Sequence, residues 1–147
     1  MKPALPILLA GCVLLAGCAD TGSEQDGARS HGLANNAHYV RDFTVAAGHP
    51  GLLGNWFSLN PDCSLAGYPT VRLLSPPAHG TVSIAQGSFY SDYPAGNQRR
   101  ACNTEPRPGV QAVYTPAPGA IGPDEATIQV IFPRGRAWTT TFHVTIQ

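Results

Sequence analysis

Lysine and methionine are almost absent from this sequence: Lys2 is its one lysine and Met1 its one methionine. Positive charge therefore rests on arginine, and the formal net charge at pH 7 is zero. A neutral chain gives no reason to expect that the protein binds nucleic acid, or that clustered basic residues bind lipid headgroups. Once Met1 is lost by processing, no thioether remains, which excludes methionine-based copper handling.

Catalytic signatures are also lacking. The chain has no G-x-S-x-G elbow, H-E-x-x-H motif, P-loop or dinucleotide fingerprint. Asp124 and Glu125 are adjacent, but such a pair beside Gly122-Pro123 builds a turn more often than it performs acid–base work. His31 and His38 lack further ligands nearby in sequence, and His143 is expected to face water. We therefore predict no catalytic residue, no metal site and no cofactor.

Proline and glycine are frequent instead, with 14 and 16 residues. They separate short apolar runs, which disfavours long helices and favours strands joined by turns. Within the runs, apolar residues recur at every second position, as in strands with one buried face. The runs are Tyr39, Phe43 and Val45; Val71 and Leu73; Val82 and Ile84; Ile128, Val130 and Phe132; and Phe142, Val144 and Ile146. Seven or eight strands at this spacing predict an all-β sandwich.

The N-terminus has the pattern of an export signal. After Met1-Lys2, residues 4–16 are almost wholly apolar, a run too short to cross a bilayer, which takes roughly 20 residues. The run ends in Leu15-Ala16-Gly17-Cys18, which resembles the lipobox of bacterial lipoproteins. The resemblance implies that residues 1–17 are a removed signal peptide and that Cys18 carries lipid.

A second lipobox-like stretch, Leu9-Ala10-Gly11-Cys12, would leave too short an apolar region, so we predict processing at Cys18. Several acyl chains would hold the protein firmly at a membrane. In this class of lipoproteins an aspartate directly after the cysteine favours inner-membrane retention, and here that position is Ala19. We therefore expect a lipid-anchored envelope protein, at the outer membrane rather than the inner one if two exist, and facing the periplasm or exposed at the surface.

Residues 18–37 are rich in Gly, Ala, Ser, Asn and Asp, the composition of a flexible tether. Random-coil scaling gives such a tether a reach of roughly 25 Å. Residues 38–147 are then the folded domain.

Two motifs in that domain point to a family. Pro77-Ala78-His79-Gly80-Thr81-Val82 precedes Tyr114-Thr115-Pro116-Ala117-Pro118-Gly119 and Gly122-Pro123-Asp124. Together they resemble the bacterial immunoglobulin-like and cadherin-like repeat domains over residues 70–146. The resemblance implies an immunoglobulin-like antiparallel β-sandwich used for spacing or adhesion. The chain has Ala126 where the family usually has an aromatic residue, and one copy where the family has tandem repeats.

Two cysteines remain in the mature chain, Cys63 and Cys102. In an oxidising envelope we expect a disulfide between them, and their loop-like contexts predict that it joins loops at one end of the sandwich. A redox or metal pair is the alternative, but C-x-x-C spacing is missing.

The candidate partner-binding loop lies within residues 88–100. It combines aromatic and adaptable polar side chains, as protein-binding loops do: Phe89, Tyr90, Tyr93, Asn97, Arg99 and Arg100. A strand followed by a merely solvated loop explains the same composition. The expected function is a non-catalytic binding or structural module for an unknown envelope protein or glycan. A periplasmic enzyme or enzyme inhibitor with a dispersed site is the alternative.

Overall fold

The computed structural model describes residues 36–147, so the signal peptide, Cys18 and nearly all of the predicted tether lie outside the described residues. Seven strands make up most of the described chain: β1 (Asn36–Val45), β2 (Gly51–Trp56), β3 (Thr70–Ser75), β4 (Gly80–Phe89), β5 (Arg107–Pro116), β6 (Gly122–Ile131) and β7 (Ala137–Ile146). A short 3₁₀ helix, Arg100–Thr104, precedes β5. Among these residues no helix is long and apolar enough to span a bilayer.

The strands form two sheets, as predicted for an all-β sandwich. One sheet has the order β1-β7-β6-β3 and the other β2-β5-β4. Every pair is antiparallel except β1 with β7, which is parallel and corrects the expectation of a purely antiparallel sandwich. The short β6–β7 turn forces those two strands to be antiparallel, whereas β1 and β7 are far apart in sequence, which allows them to pair in parallel.

The core lies between the sheets and follows the predicted alternation. On β6, Ala126, Ile128 and Val130 are fully buried, while the side chains between them are only partly covered. The same pattern holds at the end of β7, where His143 is exposed as expected. Each fully buried Val or Ile side chain contributes roughly 1.5–3 kcal/mol, so these two strands carry much of the stability.

Strands β2 and β5 were missing from the alternating runs. β5 is the central strand of its sheet, and it buries Val110, Ala112 and Tyr114 at alternate positions. β2 is irregular because its pairing with β5 shifts between Leu52 and Gly54, which breaks the period of two.

The motif residues of the family resemblance meet at one corner of the sandwich. The fully buried Tyr114 donates its hydroxyl hydrogen to Asp124 over 2.7 Å. Asp124 also accepts the backbone N–H groups of Ala78 at 2.8 Å and His79 at 2.9 Å. Asp124 therefore ties the β3–β4 turn to β6, whereas the sequence led us to expect a turn built beside Gly122-Pro123.

This corner shifts two pKa values. Burial, reinforced by the neighbouring carboxylate, raises the pKa of the Tyr114 hydroxyl. Burial alone would raise the pKa of Asp124, but the hydrogen bonds from Tyr114 and from three backbone N–H groups outweigh it and hold that pKa below its ordinary value. Asp124 is therefore ionised and fully engaged at neutral pH.

Candidate functional site

Three connections gather at one end of the sandwich, because β2, β4 and β6 all run towards it and β3, β5 and β7 all run away. The connections are the β2–β3 loop (57–69), the β4–β5 loop (90–106) and the β6–β7 turn (132–136). We call this region the loop end. Loops placed on a rigid sandwich in this way are a common location for binding sites.

A disulfide between Cys63 and Cys102 joins the first two of these loops, which confirms both the predicted pair and its predicted place. Cys102 is completely buried in the 3₁₀ helix. Cys63 lies at the end of a tight turn from Asn60, with a positive φ of 66°. The bridge therefore holds an exposed turn against a buried anchor.

The β2–β3 loop also stabilises itself. Asp62 accepts hydrogen bonds from the hydroxyl and the backbone N–H of Ser64, at 2.6 Å and 3.0 Å. These bonds, the hydroxyl first, lower the pKa of Asp62. Asn60 donates from its side chain to the Ser64 hydroxyl over 3.0 Å, which closes the turn. The side chains of Asn60, Asp62 and Ser64 thus stabilise the conformation of the loop.

Asn103 organises the β4–β5 loop, a role that the sequence did not reveal. Its amide oxygen accepts from the Ser91 hydroxyl at 2.8 Å and from the Tyr93 N–H at 3.0 Å, and its amide nitrogen donates to the Tyr93 carbonyl at 2.9 Å. Burial raises the pKa of the Tyr93 hydroxyl. One side chain thus fixes the start of the loop.

The predicted partner-binding residues divide into two groups. Four are partly buried and belong to the framework of the loop: Phe89, Tyr93, Asn97 and Arg99. The Asn97 side chain accepts the Arg99 N–H at 2.9 Å, and Arg99 donates through Nε to the carbonyl of Leu59 in the neighbouring loop. The other two, Tyr90 and Arg100, are exposed, Tyr90 by 64%. Only these two offer whole side chains to a partner.

The β6–β7 turn contacts the β2–β3 loop. Arg134 donates to the side-chain oxygen of Asn60 over 3.1 Å. The rings of Phe132 and Trp138 lie 4.8 Å apart between centroids, and the Arg136 guanidinium lies 5.0 Å from the Trp138 ring, within reach of a cation–π interaction. The turn is therefore held by aromatic and arginine contacts.

Beside the loop end lies a cleft of about 500 Å³. Strands β1, β2 and β7 and the loops contribute its walls, and we call it the aromatic cleft. Its main side chains are Tyr39, Arg41, Trp56, Phe57, Asp92, Tyr93, Phe132, Arg136 and Trp138. The sequence prediction assigned Tyr39 to the core, whereas it is 48% exposed here. The sequence held one sign that this part of β1 is not buried: Arg41, a charged residue, occupies the position between Tyr39 and Phe43 that the alternation assigns to the core.

A second depression, of about 550 Å³, lies at the opposite end and includes His79, Asp124, Glu125 and His143. The Asp124 carboxylate already accepts hydrogen bonds from Tyr114, Ala78 and His79. His143 lies 3.5 Å from Glu125 and 3.6 Å from Asp42, and all three side chains are more than half exposed. Exposed pairs of this kind contribute little. Within residues 36–147 no three His, Cys, Asp or Glu side chains are placed to hold a metal ion.

No protein-family model matches the chain, and no curated protein matches it. Among solved structures, the solution structure of amebosin is similar with a TM-score of 0.37 and 13% identity, covering 76% of this chain and 98% of that one. PbICP-C, solved in complex with falcipain-2, is similar with a TM-score of 0.36 and 14% identity, covering 77% and 92%.

Proposed function

We propose that this protein is a lipid-anchored, non-catalytic binding module of the cell envelope that contacts its partner through the loop end. One observation carries the proposal: three loops are locked together by a disulfide and by side-chain hydrogen bonds, and they present Tyr90 and Arg100 to solvent. Tyrosine and arginine are enriched among the residues that dominate binding energy.

The rigidity of the loop end favours binding over a purely structural role. Ordering a loop when a partner binds costs conformational entropy, about 0.5–1.5 kcal/mol for each immobilised flexible side chain. Here Asn103, Arg99 and Arg134 hold the loops before any partner arrives. This cost is then largely met during folding.

The finer fold assignment belongs to the same proposal, namely that the sandwich is immunoglobulin-like. Sheets of β2-β5-β4 and β7-β6-β3 correspond to the B-E-D and G-F-C arrangement of that fold, with β1 added beside the last strand. The disulfide differs from that of antibody domains, because it joins loops rather than strands of the two sheets.

The anchor rests on Leu15-Ala16-Gly17-Cys18. Intact-mass and peptide mass spectrometry of membrane fractions should find a chain that begins at an acylated Cys18, and Cys18→Ser should abolish the acylation. An uncut or unmodified Cys18 in the native protein would contradict this part of the proposal.

Site-specific photo-crosslinking in cells tests the binding surface. A photoreactive residue at Tyr90 or Arg100 should give a discrete adduct with an envelope component, which mass spectrometry then identifies. The same residue at His49, exposed in the turn between β1 and β2, is the matched control and should give none. Adducts of equal yield at His49, or no adduct at either loop position, would refute binding through the loop end. An adduct with a hydrolase would select the enzyme-inhibitor alternative.

A further inference from the structure

The aromatic cleft adjoins a smaller cavity of about 250 Å³ among the loops. The two share four lining residues, Phe57, Tyr93, Phe132 and Arg136. We call the cleft and the cavity together the arginine groove. The cleft, at about 500 Å³, is within the range of roughly 300–1,000 Å³ that small-molecule sites occupy.

Positive charge is concentrated in this groove although the whole chain is neutral. Four arginines line it, Arg41, Arg99, Arg134 and Arg136, against a single carboxylate, Asp92. None of the four forms a salt bridge with a carboxylate of residues 36–147. Like charges gathered in one concave site repel each other, and an anionic ligand would relieve that repulsion.

Two of these guanidinium groups are already oriented by neutral acceptors. Arg99 donates to the Leu59 carbonyl and Arg134 to the Asn60 side chain. Such bonds fix the position of a guanidinium without neutralising it. A guanidinium held in this way offers its remaining N–H donors in a planar fork that suits carboxylate or phosphate oxygens.

The groove also has apolar walls. Trp56 and Phe57 approach from the β2 side, and Tyr39 from the β1 side. At Gly54 a Cβ atom would meet the Trp56 ring at 3.1 Å, so the missing side chain lets the indole lie close against the strand. A ligand here meets flat apolar surfaces and cations together.

We propose that the arginine groove binds an acidic saccharide, that is, a short glycan bearing carboxylate or phosphate groups. The inference goes beyond the proposed function, because the groove is a second surface beside Tyr90 and Arg100 and has a ligand class of its own. A sugar ring has an apolar C–H face that can pack on the aromatic walls, and hydroxyls that can hydrogen-bond to Asp92 and the arginines. Its acid group would neutralise the excess positive charge. An acidic peptide supplies charge without a flat ring, and the neutral chain lacks the general basic surface of a nucleic-acid binder.

Calorimetric titration of the full chain with four probes separates these chemistries. The probes are a tetragalacturonate, a neutral maltotetraose, a hexaglutamate peptide and a hexathymidylate. We expect the tetragalacturonate to bind most tightly, with an affinity that decreases as salt increases. Arg136→Gln and Arg41→Gln should each weaken it about tenfold or more, the usual effect of losing a charge-assisted hydrogen bond. Arg72→Gln, an exposed arginine on β3 outside the groove, is the matched control and should change nothing.

Tyr39→Ala tests the apolar wall and should weaken tetragalacturonate binding, with far-ultraviolet circular dichroism confirming the fold. Equal binding of maltotetraose, equal or tighter binding of hexaglutamate or hexathymidylate, or no binding of any probe at millimolar concentration would each overturn the inference. The outcome is separable from the broader proposal, because adducts at Tyr90 or Arg100 with a protein partner would support a binding module while the groove fails its own test.

Discussion

Removing the disulfide should cost this domain a large share of its stability. Cys63 and Cys102 are 39 residues apart, and closing a loop of that length in the unfolded chain is worth about 4 kcal/mol in the chain-entropy account. Small domains are stable by about 5–15 kcal/mol in total. With a urea dependence of about 2 kcal/mol per molar, the unfolding midpoint should fall by about 2 M.

The measurement is urea unfolding of the native protein with and without reductant, beside the double variant Cys63→Ala/Cys102→Ala. Reduction leaves both sulfur atoms in place, so it isolates the effect of the covalent link. The double variant should unfold somewhat earlier still, because Cys102 is completely buried and its replacement leaves a small cavity. The variant's own midpoint should not respond to reductant, which serves as the control. Equal midpoints for the oxidised and reduced native protein would show that noncovalent contacts alone hold the loops.

Four further substitutions test the corner and the loops. Tyr114→Phe should lower the free energy of unfolding by about 1.5–3 kcal/mol, since it removes a hydrogen bond to a charged group, and this loss should shrink in Asp124→Asn. Because the folded-state pKa of Asp124 is lowered, the stabilisation from its carboxylate is present above the unfolded pKa of about 3.9 and is lost as pH falls below that value. If Asp124→Asn and the native protein lost stability identically in acid, this assignment would be wrong. Gly80→Ala places a Cβ 2.6 Å from the Tyr114 ring and should reduce the melting temperature, whereas the control Gly96→Ala meets nothing within 4 Å and should not. Asn103→Ala should cost about 1–3 kcal/mol in thermal unfolding, because buried loop polar groups lose their partner; an unchanged melting temperature would contradict its organising role.

The sequence predicted the sandwich well where apolar side chains are large. β6 and β7 bury Ile and Val side chains at alternate positions, and this period of two is visible in the amino-acid sequence. β5 was harder to see because one of its buried positions is Ala112, whose side chain carries little hydrophobicity. β2 was missed because a shift of pairing near Leu52 breaks the period itself.

The candidate site was predicted only in part. Composition identified the β4–β5 loop, and oxidation chemistry identified the Cys63–Cys102 bridge. The groove escaped prediction because its walls come from segments as distant as Arg41 and Arg136, which only the topology brings together. Spacing along the chain cannot distinguish Arg99, which holds a neighbouring loop, from the exposed Arg100.

The parallel pairing of β1 with β7 gives the domain a polarity. Because Asn36 pairs with Ala137, the residue directly after the β6–β7 turn, the chain enters the sandwich at the loop end. Gln147 lies at the far end, where its carbonyl accepts the N–H of Ala47. A fluorophore or surface attachment at Gln147 therefore lies away from the loops, whereas the same group at Asn36 lies beside them.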